Sequence, residues 1–180
     1  MTVVDVFSCI SSGATALAAF VAVFALNAWR KQFRYQRKYE CILDIRSQLH
    51  GANEAALYLS SLREHFSEAI RAGTPPDSLD AAYPYELHQV WWEHLSKLQR
   101  TWALLEITLD RAELQIFTVD PFELQVDVGN YVNEIVSLAC AEQIPSLLEV
   151  HRMVSNSITS VEGKYKIMET QCRKALTIIK

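Results

Sequence analysis

The chain has 180 residues, half of them apolar, with only five glycines, five prolines and a net charge of −4. So few turn-formers disfavour a β-rich fold, and Gly13, Gly51, Gly73, Gly129 and Gly163 are too dispersed for any phosphate-cradling loop. The acidic balance argues against duplex DNA or RNA as a nonspecific ligand.

The first element is a run of 24 residues without a charged side chain, Val6 to Trp29. As a helix it spans roughly 36 Å, enough for a hydrocarbon core of about 30 Å. A buried core helix of this length normally shows a polar stripe. Here the polar residues are small (Ser8, Ser11, Ser12, Thr15), and such hydroxyls can bond back to helix carbonyls. A signal peptide carries its positive charge before the apolar run; here Asp5 precedes it and the cations follow. Residues 1–29 are therefore expected to be a transmembrane anchor. Ser11, Ala14, Thr15, Ala18, Ala22 and Ala25 recur at helical spacing, a small-residue face that lets helices approach closely. It predicts self-association, as a dimer or tetramer.

Residues 30–40 form a basic neck. Arg30, Lys31, Arg34, Arg37 and Lys38 come with no acid before Glu40. Together with Trp29 they are expected at the membrane interface, against the anionic headgroups of the lipid bilayer. The Lys/Arg bias puts the N-terminus outside and the C-terminal domain in the cytosol. Beyond Lys38 the chain carries 12 basic and 20 acidic residues. Its four cysteines (Cys9, Cys41, Cys140, Cys172) form no CxxC pair, and a cytosolic domain would keep them as free thiols.

Residues 41–180 read as a helical domain, because apolar residues recur every three or four positions. Ile42, Ile45, Leu49, Ala52, Ala56, Leu59, Phe66 and Ile70 make the first stripe, expected to be continuous with the anchor and to end at Gly73. A polar, proline-bearing loop follows to Pro84. The second stripe, Leu87, Trp91, Leu95, Leu98, Trp102, Leu105 and Leu109, is expected to run to about Phe117. Asp120-Pro121-Phe122-Glu123 starts a third helix, with Asp as cap, Pro in the first turn and Glu placed for a capping box. It should run to about Gln143 with Leu124, Val128, Tyr131, Ile135 and Leu138 inward. After Pro145-Ser146 the fourth stripe carries Leu148, His151, Val154, Ile158, Val161, Tyr165, Met168, Cys172 and Ile179. Short connections imply antiparallel neighbours. The expected fold is all-α: one N-terminal transmembrane helix plus a cytosolic antiparallel bundle of about four helices.

No catalytic signature is present, and no enzyme is expected. GxSxG, HExxH and the Glu-x-x-His of di-iron bundles are missing. His50/Glu54 and His65/Glu68 each place two ligands on one helix face, a pairing too common to imply a metal. No metal or cofactor is expected. The unusual cluster lies between His88 and Arg100. Trp92 is about 100° from the core-facing Trp91 and beside His88 and Arg100 at i−4 and i+8. An aromatic plane next to Arg and His can stack a base and neutralise a phosphate. The bland reading is a helix–helix interface, where Trp and Arg are also enriched. The candidate ligand-binding set is His88, Trp92 and Arg100, with Arg63 and Arg71 as neighbours from the first helix.

Residues 10–40, ending in VAVFALNAWRKQFRYQRKYE, resemble a group of small bacterial membrane proteins. These have one N-terminal span ending in Trp-Arg/Lys-Lys-Gln, a basic-aromatic neck and a helical cytosolic domain. Some proteins of this architecture are effectors of anti-phage systems, including a type III CRISPR membrane effector activated by cyclic tetra-adenylate. The resemblance implies a bacterial inner-membrane location. It also implies a non-enzymatic, oligomeric effector that senses a small nucleotide such as a cyclic oligoadenylate and perturbs the membrane in antiviral defence. The alternative is a tether that recruits a protein partner through the acidic bundle.

Overall fold

The computed structural model describes residues 3–49, 52–72, 84–139 and 146–179, with backbone alone for 3–12 and 72. All regular structure among them is helical: α1 Val3–Gln48, α2 Ala52–Ala72, α3 Tyr85–Thr108, α4 Arg111–Leu114, α5 Pro121–Ala139 and α6 Leu147–Ile178.

Cross-helix contacts fix the directions. Lys38 meets Glu113, Gln48 meets Thr101 at 2.8 Å, and Tyr58 stacks on Trp91. Numbers rise along α1 and α2 as they fall along α3. The inner end of α1 and α2 thus form one jointed rod antiparallel to α3. Ser67 lies 3.2 Å from His151, and Arg46 shares a cleft with Glu162, Tyr165 and Glu169, so α6 is also antiparallel to that rod. Gln99 bonds Gln125, which places α5 beside α3; Lys164 pairs with Glu123 and Asp127 while Tyr131 bonds Ser160, so α5 runs antiparallel to α6. The result is an up-down-up-down bundle of four long arms.

The core lies between these arms. Ile42, Ile45, Leu59, Leu62 and Phe66 meet Leu95, Leu98, Leu105, Leu124, Ile135 and Met168, none more than 1 % exposed. Each contributes roughly 1.5–3 kcal/mol on burial. On α6 the buried residues Val150, Val154, Ser157, Val161, Tyr165, Met168, Cys172 and Ala175 alternate by threes and fours. That spacing keeps one side on the bundle for the helix's whole length.

Three boundaries and positions differ from the sequence reading. The rod is not one helix to Gly73: α1 ends at Gln48 and α2 restarts at Ala52. Glycine in that short interval lowers helix propensity by about 1 kcal/mol. Next, α3 stops at Thr108 rather than near Phe117. Leu109 turns extended, and Asp110 opens a one-turn helix. Asp110 accepts from the backbone N–H of Ala112 and Glu113, and Glu113 accepts from the Asp110 N–H at 2.9 Å. This Asp-x-x-Glu box is the signature read at Asp120. At Asp120 itself the cap forms, with the Glu123 N–H at 2.8 Å, but the Glu123 side chain goes to Lys164 instead. For α5, helical to Ala139, the expected end near Gln143 falls outside the described residues and is neither met nor overturned. Finally, Leu148 and His151 are exposed rather than inward, because the α6 face is set by Val150 and Val154. The loop from Gly73 to Tyr83 also lies outside the described residues.

Candidate functional site

Among the described residues one helix, near the N-terminus, is long and apolar enough to cross a membrane, and none of its apolar stretch is buried. Every described side chain from Gly13 to Arg37 on α1 is exposed, including Leu17, Phe20 and Phe24. Below these Trp29 stacks on Phe33 at 5.7 Å, and the Arg37 guanidinium lies 5.4 Å from the Phe33 ring. Trp29, Arg30, Lys31, Arg34 and Arg37 are all exposed.

Lys38 departs from that expectation. It is 8 % exposed and turned into the bundle. Its ammonium donates to both Glu113 oxygens at 2.6 and 2.7 Å and lies 3.5 Å from Asp110 Oδ2. Those acids belong to the capping box of α4. The backbone N–H of Glu113, the largest influence, and the Lys38 charge both hold the Asp110 carboxyl below its usual range. The cation that reads as a headgroup contact is therefore the first clamp between the bare helix and the bundle. Three residues on, Cys41 and Ile42 begin the packed part of α1.

The ligand candidates are divided between two places. His88 and Trp92 sit in an aromatic cluster on the α2/α3 seam. The His88 ring lies 5.2 Å from Tyr58, 6.1 Å from Trp91 and 6.4 Å from Trp92, near-parallel to the last. Trp91 is buried and stacks on Tyr58 at 5.7 Å, whereas Trp92 is 42 % exposed. Arg63 and Arg71 line a different cleft of about 330 Å³ with Glu64, Ser67, Glu68 and His151, between α2 and α6. Arg100 is exposed on the outer side of α3, three turns from His88. Its neighbours Gln99 and Thr101 reach to α5 and α1 respectively. Hence Arg63 and Arg71 share a cleft, His88 and Trp92 share a stack, and Arg100 belongs to neither.

A larger cleft, about 630 Å³, opens between α5 and α6 beside the Tyr131–Ser160 bond. Glu134, Glu149, Arg152, Met153 and Asn156 line it. Sequence reading missed it because its residues come from two helices and form no local motif. The polar side chains of α6 facing away from its buried stripe were the available signal. Two thiols are visible. Burial pushes Cys172 up to about 12 and also raises Cys41, so both stay protonated and poorly nucleophilic at neutral pH. No group of three or more His, Cys, Asp or Glu able to hold a metal occurs among the described residues.

No protein-family model, curated protein or solved structure matches the chain.

Proposed function

We propose that the protein is a non-enzymatic, oligomeric effector of the bacterial inner membrane. Its helical domain faces the cytosol, senses a small nucleotide such as a cyclic oligoadenylate, and perturbs the bilayer in antiviral defence. The observation that carries the reading is α1, a single helix of 46 residues that leaves its bare apolar half and enters the bundle core without a break. A continuous helix transmits rotation or displacement that a flexible linker would absorb. Lys38 and Glu113 clamp it at the point of entry. A rearrangement of α3 or α6 therefore moves the span.

Base stacking on Trp92 beside His88 and phosphate contact at Arg63 and Arg71 are the two recognition elements for the nucleotide. They lie on the two sides of α2, so the ligand bridges them or engages one of them. The test uses the full chain in lipid nanodiscs and dye-loaded vesicles. Cyclic tetra-adenylate should raise the melting temperature and release dye. Trp92→Ala or Arg63→Ala/Arg71→Ala should weaken binding about 10-fold or more while helicity is retained. No stabilisation and no dye release with cyclic oligoadenylates of any ring size would overturn the sensing role.

The tether is the second reading. It is favoured by Leu104 and Ile107, neighbours on α3 that are 59 % and 83 % exposed. Apolar side chains this bare on a bundle face suit a protein partner. Capture of one partner, lost on Ile107→Glu without loss of fold, would favour this reading over sensing.

A further inference from the structure

The bare part of α1 is sided. Ala18, Ala22, Ala25, Trp29, Gln32 and Gln36 alternate by fours and threes, the a/d spacing of a coiled coil. Every one of them is exposed. All five neck cations avoid this seam. Arg30 and Arg37 directly follow Trp29 and Gln36, about 100° round the helix, and Lys31, Arg34 and Lys38 lie about 200° round. In heptad terms the cations occupy only the outward b, c and f positions. The flanking neck positions hold Ala28, Phe33 and Tyr35 until Glu40.

The bundle stands on the opposite side. Lys38 and Ile45, both buried in it, are about 200° from Gln36 and from Leu43, which continues the seam. Because α1 is one unbroken helix, this phase relation holds from the span into the domain. The face away from the bundle thus carries no neck cation, and its Gln36 side chain donates to Glu40 at 2.8 Å.

Lipid covers the apolar half of that face at any rotation. It offers no reason for the neck below to keep one side free of charge. A second copy does: in a parallel pair, the faces of the neck that carry Arg30, Lys31, Arg34 and Arg37 set like cations against each other, which is unfavourable. The alanines, whose side chains end at Cβ, allow the closest backbone approach. The glutamines provide uncharged polar contacts beneath it.

We propose that two copies of the chain pair in parallel, about a two-fold axis, along the α1 face from Ala18 to Gln36, with their bundles directed outward. The pairing is isologous, so each residue of the seam meets its own counterpart. This rests on the oligomeric reading above and specifies its interface.

The experiment co-expresses two differently tagged full-length copies and recovers one tag from mild detergent. The parental pair should co-purify. Gln32→Lys in both copies should reduce recovery several-fold, whereas Gln32→Lys against Gln32→Glu should restore it. Arg34→Gln, two residues on and about 200° round on the outward side, should leave recovery unchanged. Ala18→Leu/Ala22→Leu, bulky but still apolar, should reduce it without touching the neck. If the parent co-purifies and Gln32→Lys pairs associate equally well, the seam is wrong and the oligomeric reading stands. If the parent does not co-purify, both fail.

Discussion

Lys38→Met gives the sharpest stability test, because Lys38 is the only neck cation turned inward. Its side chain is 10 % exposed and that of Glu113 is 16 %. Removing one partner of a buried pair costs about 3–5 kcal/mol, because the other charge is left uncompensated. Glu113 is not wholly abandoned: it keeps the Asp110 N–H at 2.9 Å. That places the expected loss nearer ~2–3 kcal/mol. For a chain of this size 1 kcal/mol shifts the melting temperature by about 2–4 °C, so the drop should be ~4–12 °C. Glu113→Leu should cost a similar amount by stranding the ammonium against Asp110 alone. The double variant removes both charges, and its loss should be well below the sum of the single losses, a coupling of ~1.5–3 kcal/mol. The assay is thermal and denaturant unfolding of the full chain in detergent, followed by helicity. Strict additivity, or a loss under ~0.5 kcal/mol for Lys38→Met, would show an ordinary surface ion pair and refute the clamp.

A reporter fused after Lys180 should be active only if it is a cytosolic reporter; activity of a periplasmic one would reverse the topology. Between α5 and α6, burial pulls Lys164 down, but Asp127 and Glu123 outweigh it and raise its pKa above the usual 10.5. Stability from this bridge is therefore complete below about pH 10.5 and lost as pH rises through the raised folded value. Alkaline melting curves should show that loss, and Asp127→Asn/Glu123→Gln should flatten it; an unchanged slope would remove the bridge from the account. At pH 7 the Cys172 thiol should resist iodoacetamide in the folded bundle and react on unfolding, read site by site by mass spectrometry. Rapid labelling in the native state would contradict its burial.

Much of the fold is legible without coordinates, because periodicity is a local property. The apolar run, the basic neck and four amphipathic stripes are written in consecutive residues, and they yield four antiparallel arms. The stripes on α3 and α6 are almost in phase with burial: Trp91, Leu95, Leu98, Trp102 and Leu105 are all buried, as are Val154, Val161, Tyr165, Met168 and Cys172. Where two local rules compete, the reading fails. Leu109 continues the α3 stripe, yet the Asp110 box ends the helix there and stands a turn of α4 beside it. Leu148 fits the α6 period, yet at the helix start the burial follows Val150.

What depends on partners far apart in sequence was out of reach. Five cations in a row look equivalent, and only a contact across 75 residues tells Lys38 from Arg37. Arg63 and Arg71 meet His151 rather than His88 and Trp92 because α2 has two neighbours, and spacing along one helix does not say which neighbour a side faces. The sequence by itself determined the helical stripes, the apolar run and the sidedness of charge below it, since hydrophobic period and charge order act within a few turns. Only the tertiary structure decided which cation is buried, which residues share a cleft and on which side of α1 the bundle stands, since burial and ion pairing depend on what the other helices bring into contact.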